Sequence, residues 1–247
     1  MNISQESRSF LEDLRLYLFS SGKNEKEAEE IISELEDHLY VAEKDGKKVD
    51  DIIGNTPKAY MEQLANEMSF DFKAVLKYIP IIILGAFSYI VMGDALQGGI
   101  KYSLLRITGY LFIFLFVLLL ISVVFKYVAS NKISKTKERL LFALLGIMPT
   151  ILFIGLIYLD RYYDTTMISF GKAGNIAAIL FSILVFVGIS IWSKTWVSII
   201  LPILLFLPEF LLNKTSFQES TQLIVTSLVT FVGIGIYFLI VKNKEKR

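Results

Sequence analysis

The 247-residue sequence has no cysteine and only one histidine, His38. Without thiols the chain forms no disulfide bonds and offers no thiolate ligands to a metal. A lone histidine is also too little for the usual zinc ligand sets. We therefore expect no metal and no cofactor. Residues 1–70 also lack the apolar stretch of a secretory signal peptide, so we expect this part to remain in the cytoplasm.

Charge is distributed unevenly along the chain. Residues 1–73 hold 17 acidic and 9 basic side chains, whereas the remainder holds 7 acidic and 16 basic ones. The net charges are therefore −8 and +9. This contrast predicts two physically different parts, an acidic domain at 1–72 and a membrane domain at 73–247.

Long apolar runs dominate the second part. A helix needs about 20 apolar residues to cross a hydrocarbon core of roughly 30 Å, and six runs approach that length. They lie at 75–93, 104–125, 140–159, 173–192, 196–212 and 222–241, and the fifth is the shortest. The sequence thus predicts an all-α protein, in which a small N-terminal helical bundle precedes a six-helix polytopic transmembrane domain.

Basic residues in short loops indicate the cytoplasmic side of a membrane protein. Residues 126–139 contain five of them, Lys194 lies between the fourth and fifth runs, and four more follow residue 241. With six spans, all these segments share one side with the N-terminus. We therefore expect a multi-pass protein of the cell membrane with both termini in the cytoplasm.

Few ionisable side chains fall inside the predicted spans, and Glu209 is the main candidate. Its carboxylate either reaches the membrane interface or acts as an ion or proton ligand within the bilayer. No span contains histidine or cysteine, and the outer acidic residues are scattered. Because an intramembrane enzyme needs converging catalytic groups, we expect no enzymatic activity.

An amphipathic helix is predicted at 25–45, with Asn24 as its N-cap and Gly46 after its C-terminus. One side carries the apolar stripe of Ala28, Ile32, Leu35, Leu39 and Ala42. The other side carries the acidic residues Glu27, Glu30, Glu34 and Asp37. At 100° per residue the two directions differ by roughly 140°, so the helix has one apolar and one acidic face.

Further helices are predicted on both sides of this one. Residues 5–20 place apolar side chains along one side and end before Gly22. A short turn around Ile53 is expected to be capped by Asp50 or Asp51. The pair Thr56-Pro57 then gives a strong helix start.

The acidic face suggests a protein partner. Nucleic acid and anionic lipid headgroups repel such a face, so we expect no direct nucleic-acid binding. A basic protein surface complements it, although a charged helix face that is simply solvated explains the pattern equally well. His38 borders the acidic face, either as a half-buried structural ring or as a pH-responsive contact. The candidate partner-binding residues are Glu27, Glu30, Glu34, Asp37 and His38.

Three pieces of the first 70 residues carry a family resemblance: ELEDHL at 34–39, Gly46, and IGNTP at 53–57 followed by Tyr60. Residues 5–70 resemble the HAAS domain, a small helical signalling module of mostly Gram-positive bacteria that precedes a membrane region. The resemblance implies a membrane partner of PadR-like winged-helix transcription regulators, acting in envelope or membrane stress. It brings no catalytic residues.

Two functions therefore remain open. The first is a membrane-anchored signalling protein whose acidic domain captures or releases a cytoplasmic regulator. The second is a small-molecule transporter or permease subunit. This interpretation is supported by the six spans, the prolines within them and Glu209. Small residues in the fourth run, such as Ala173 and Ala177, permit close helix packing, so a homo-oligomer is also open.

Overall fold

The computed structural model describes residues 3–54, 56–97, 99–163, 165–213, 215 and 217–245. Asn55 of the motif quoted above and the two last basic residues of the chain lie outside this description. The described residues form ten helices and one two-stranded antiparallel sheet, so the protein is all-helical in class.

Four helices precede residue 70 and six follow it. The first four are α1 (Gln5–Ser20), α2 (Glu25–Lys44), α3 (Val49–Ile53) and α4 (Pro57–Glu67). The other six are α5 (Phe72–Gln97), α6 (Leu104–Ser130), α7 (Lys135–Tyr162), α8 (Gly171–Ser193), α9 (Val197–Leu212) and α10 (Glu219–Glu245). Strands β1 (Lys101–Tyr102) and β2 (Ile168–Ser169) lie before α6 and α8.

The chain folds into two compact units. The first comprises Met1–Pro80 and Leu105–Thr165, and the second comprises Ile81–Leu104 and Thr166–Arg247. The first unit thus combines α1–α4 with α6 and α7, whereas α5 contributes to both units.

Helix caps predicted from the sequence form in the first unit. The side chain of Asn24 accepts a hydrogen bond from the Glu27 amide at 3.1 Å, and Thr56 accepts one from the Ala59 amide at 3.3 Å. The cap predicted for α3 was wrong, because Lys48 is the N-cap, two or three residues before Asp50 or Asp51. Asp51 instead accepts the backbone N–H of Lys48 at 2.8 Å, which places Asp51 in the first turn rather than at the cap.

Apolar stripes of α1–α4 form the core of the first unit. Leu14 and Leu18 of α1 and Leu39 of α2 are fully buried, and Met61 of α4 is 1% exposed. Ala129, near the end of α6, belongs to the same core. Each of these side chains lies on the face that helical periodicity assigns to the interior.

Five helices are long and apolar enough to cross a membrane. They are Phe72–Gln97, Leu104–Ser130, Lys135–Tyr162, Gly171–Ser193 and, within α10, Ser220–Asn243. The run predicted at 196–212 forms α9, an apolar helix of only 16 residues. Among the described residues there are therefore five helices of spanning length and one shorter apolar helix, and the count of six spans stays a prediction.

The small sheet in the second unit was not predicted. Lys101 pairs with Ser169 and Tyr102 pairs with Ile168. Next to this pairing, the Ile100 amide donates to the side chain of Asn175 at 2.9 Å. Strands of two residues leave no alternating pattern in the sequence, which is why the prediction contained helices alone.

Candidate functional site

The acidic face of α2, defined as Glu27, Glu30, Glu34 and Asp37, is exposed along its whole length. The opposite stripe is in the core, where Ile32 is 2% exposed and Leu39 is fully buried. Helix packing thus fixes α2 in an orientation that leaves its acidic face accessible.

Neighbouring charges compensate only part of this acidity. Glu30 lies 3.8 Å from Lys26 on the same helix, in an exposed pair of the kind that contributes little to stability. Within the described part of the chain, Glu27, Glu34 and Asp37 form no ion pair. Their negative potential therefore remains available to an external cation or basic surface.

Glu29 has a different role from the acidic face. Arg15 of α1 donates two hydrogen bonds to its carboxylate, at 2.6 and 2.8 Å. This hydrogen bonding lowers the pKa of Glu29 and raises the pKa of Arg15. The bidentate contact connects α1 with α2, so Glu29 is a structural residue.

His38 is exposed on α2. The interpretation as a half-buried structural ring was therefore wrong, because the ring lies outside the core. Its place beside Asp37 leaves the role as a contact residue as a prediction. Among the described residues, no group of three or more His, Asp or Glu side chains could hold a metal ion.

Helix α6 contacts α1 directly. The hydroxyl of Ser122 donates a hydrogen bond to the backbone carbonyl of Ser20 at 2.7 Å. One turn later the Lys126 ammonium lies 5.2 Å from the centre of the Tyr17 ring, within range of a cation–π interaction. With Ala129 in the core, three successive turns of α6 contact the N-terminal helices.

A groove of about 1010 Å³ lies beside this contact. It is bounded by α1, α3, α4 and the end of α6. Phe10, Ile53 and Met61 supply its apolar surface, whereas Glu6, Asp13, Asp50, Lys58 and Lys132 supply charge. The groove is large enough for side chains of a protein partner or for a small molecule.

Among the titratable groups that line this groove, Asp13 has the pKa that departs most from its ordinary value. Burial, and after it the nearby charges of Glu12 and Glu138, raise its pKa from the ordinary value of 3.8 to about 6. Glu138 lies in the first turn of α7. Protonation of Asp13 near neutral pH would therefore remove a repulsion between α1 and α7.

Asp71 connects α2 with the start of α5. Its carboxylate accepts hydrogen bonds from the Asn24 side chain at 2.7 Å and from the Ala74 amide at 2.9 Å. These bonds lower the pKa of Asp71. This cap was not predicted, although an aspartate just before an apolar helix is a recognisable N-terminal signal.

A buried ion pair between α6 and α7 was also missed. Arg106 Nε lies 2.9 Å from Asp160 Oδ2, and the Asp160 side chain is fully buried. The hydroxyl of Thr165 donates to the other carboxylate oxygen. Both charged residues lie near the ends of long apolar runs, a position that could have directed attention to them.

Glu209 is half-buried in the second unit. Its carboxylate accepts a hydrogen bond from the Gln97 side chain at 2.9 Å. Asp94, on the same helix as Gln97, accepts from the Tyr102 hydroxyl at 2.7 Å. The ends of α5 and α9 that carry these residues thus share a polar contact.

Comparison with known proteins identifies the apolar part of the chain. Residues 89–205 match the family model of the HAAS transmembrane region. No curated protein and no solved structure matches the chain significantly. The match is consistent with the resemblance found in residues 5–70, but it covers a different segment of the chain and does not test that one. Residues 89–205 are therefore similar to the HAAS transmembrane region, and together with the long apolar helices this similarity indicates a multi-pass membrane protein.

Proposed function

We propose that this protein is a membrane-anchored signalling protein without enzymatic activity, whose N-terminal helical bundle binds a cytoplasmic protein through the acidic face of α2. One observation carries the proposal. The carboxylates of Glu27, Glu34 and Asp37 are exposed and have no ion pair among the described residues, while the opposite face of the helix is buried. Because like charges repel DNA and anionic lipid, a basic protein surface is the matching partner.

The partner that fits best is a PadR-like winged-helix transcription regulator. The HAAS resemblance implies this class, and a DNA-binding protein carries the basic surface that the acidic face requires. In this role the protein would act in a membrane or envelope stress response. The acidic face would then compete with DNA for the same regulator.

The proposed topology has six spans, with α9 as the fifth. The N-terminal bundle, residues 126–139 and the C-terminus lie in the cytoplasm. The basic residues of 126–139 support this orientation. Since the chain has no cysteine, Asn131→Cys and Thr166→Cys each create a unique thiol. A membrane-impermeant maleimide added to intact cells should label only the Thr166→Cys variant; labelling of Asn131→Cys would refute the orientation.

The contacts between α6 and α1 suggest how a signal reaches the bundle. A shift of α6 within the bilayer would move Ser122 and Lys126 against Ser20 and Tyr17 of α1. Because α1 packs on α2, the acidic face would shift with it. Bilayer state would thereby control access of the partner.

Binding of the full-length protein to a purified PadR-like regulator from the same genome tests the proposal. The protein is held in lipid nanodiscs, and binding is measured by interferometry. Glu30→Lys/Glu34→Lys should weaken binding by about tenfold or more, because attraction becomes repulsion. Binding of the wild type should also weaken as salt is added.

Glu62→Lys/Glu67→Lys on α4 is the matched control. These residues are also exposed, and Glu62 lies 3.9 Å from Lys58 in the same kind of helical ion pair that Glu30 forms. The control changes net charge by the same amount and should leave affinity within about twofold, as expected away from the interface. Equal losses in both variants, or no binding by the wild type, would reject the proposal.

A further inference from the structure

An apolar groove of about 370 Å³ lies in the second unit, between the C-terminal half of α5, α8 and α9. Every side chain that lines it is apolar. Phe186 and Pro202 are buried and form its floor, whereas Ile203 and Leu207 are about half exposed and form its rim. The volume falls within the range of small-molecule sites.

The groove is long and narrow because one face of α9 forms its wall. The lining residues of α9 run from Ile199 to Phe210 at spacings of three and one, which keeps them on one side of the helix. Eleven residue steps correspond to about 16 Å of helix axis. A single extended alkyl chain of medium length fits this shape.

A carboxylate lies beside one end of the groove, on a residue that does not itself line it. Phe210 and Leu96 line that end, and each has a polar neighbour in sequence, Glu209 and Gln97. Gln97 donates one hydrogen bond to Oε1 of Glu209 at 2.9 Å. An ionised carboxylate has about four acceptor positions, so this bond leaves most of its acceptor capacity for a cationic group.

We propose that this groove binds a single-chain amphiphile with an ammonium headgroup. The alkyl chain lies along α9, and the ammonium group donates to the Glu209 carboxylate beside Gln97. Charge complementarity selects the headgroup, because the carboxylate repels an anionic amphiphile and gives a neutral one only a weaker hydrogen bond. This site does not depend on the partner-binding role proposed above.

Photolabelling of the full-length protein in phosphatidylcholine nanodiscs tests the site. The probe is dodecylammonium with a diazirine near the end of its chain, and mass spectrometry locates the label. We expect label on residues of α5, α8 and α9 that line the groove. Unlabelled dodecylammonium should compete for it more strongly than dodecanol, and dodecyl sulfate should not compete.

Glu209→Gln should weaken competition by dodecylammonium about tenfold, as expected for loss of a hydrogen bond to a charged group. Competition by dodecanol should not change. Asp94→Asn is the matched control, because it removes a carboxylate from the same end of α5 that accepts a hydrogen bond from Tyr102, whereas Gln97 donates to Glu209. This variant should behave as the wild type.

Ile203→Trp should fill the groove and abolish specific labelling, and Leu207→Trp provides a second filling variant should the first not fold. Label spread evenly over the apolar helices would overturn the proposal, as would equal effects of Glu209→Gln on dodecylammonium and dodecanol. Displacement of the probe by phosphatidylethanolamine added to the nanodiscs would also overturn it, because the groove would then hold a two-chain lipid.

Discussion

Ser122 of α6 donates its hydroxyl hydrogen bond to the backbone carbonyl of Ser20, the last residue of α1, at 2.7 Å. Carbonyls at the end of a helix lack intrahelical partners, so Ser122 satisfies a group that α1 leaves open. This bond connects a helix of membrane-spanning length with the first helix of the chain. It is therefore the contact whose removal most directly tests communication between them.

Ser122→Ala should loosen the end of α1. Loss of one half-buried hydrogen bond costs about 1 kcal/mol, and the local effect should appear as faster amide hydrogen exchange in peptides covering residues 16–23. Ser130→Ala is the control, since Ser130 donates within α6 to the carbonyl of Lys126. If Ser122→Ala leaves the rate of amide hydrogen exchange in α1 unchanged, the hydrogen bond from Ser122 does not stabilise the end of α1.

Gly22 and Gly46 allow the two costs of a glycine replacement to be separated. Both have positive φ, +68° and +75°, but a Cβ at Gly22 would collide with the Phe70 ring, whereas a Cβ at Gly46 meets nothing within 4 Å. Gly46→Ala should cost about 1 kcal/mol from backbone strain alone. Gly22→Ala should cost about 2–3 kcal/mol because overpacking adds to the strain.

Thermal unfolding of the detergent-solubilised protein, followed by circular dichroism, measures both glycine variants. The double variant Gly22→Ala/Phe70→Ala removes the ring. It should recover part of the extra stability that Gly22→Ala loses relative to Gly46→Ala. Equal destabilisation by Gly22→Ala and Gly46→Ala would mean that the ring moves aside freely.

Asp13 should make stability depend on pH. Its folded pKa of about 6 lies above the ordinary value of 3.8, so the folded state binds the proton more tightly than the unfolded state. The free energy of unfolding therefore falls as pH rises from 4 to 6 and is level above that range. Asp13→Asn removes this loss and should stabilise the protein by about 1 kcal/mol at pH 7.5, after allowance for solvent screening.

The same substitution should have a much smaller effect at pH 4, where Asp13 is protonated in the folded state and roughly half protonated in the unfolded state. Glu138→Gln should give part of the gain at pH 7.5, because Glu138 contributes to the raised pKa of Asp13. Thermal unfolding at the two pH values measures this difference. A stabilisation by Asp13→Asn that is equal at both would contradict the titration of Asp13.

The ion pair between Arg106 and Asp160 should be costly to break. Asp160→Ala leaves the arginine without its buried counter-charge and should destabilise the fold by about 3–5 kcal/mol. Arg106→Met/Asp160→Leu should recover most of that loss, because both charges are removed together. Glu29→Ala breaks the half-exposed pair with Arg15 and should cost only about 1 kcal/mol or less.

Denaturant unfolding in mild detergent compares these three variants. If the double replacement were as unstable as Asp160→Ala, the pair would contribute through its geometry with Thr165 rather than through charge balance.

Local signals allowed much of the helical structure to be predicted. Apolar periodicity placed α1 and α2 almost to the residue, and hydropathy located the five helices of spanning length and the shorter apolar helix α9. Caps such as Asn24 and Thr56 were predictable because a side chain and an amide three residues apart decide them. These features depend on residues that are close together in the sequence, so they can be read from the sequence directly.

Features formed by distant residues were not predictable. The bond between Ser122 and Ser20 joins positions 102 residues apart. The pairing of β1 with β2 and the ion pair of Arg106 with Asp160 likewise depend on how helices pack. For the acidic face of α2, periodicity predicted the exposure that the structure shows, but exposure alone does not define what binds there.

The shortness of α9 has a consequence for the lipid around it. Sixteen residues extend about 24 Å, roughly 6 Å less than an average hydrocarbon core. Where α9 crosses the bilayer, lipids beside it must compress, and the cost of hydrophobic mismatch increases with membrane thickness. Acyl-chain length and sterol-like rigidifiers thereby become variables that act on this protein without binding to it.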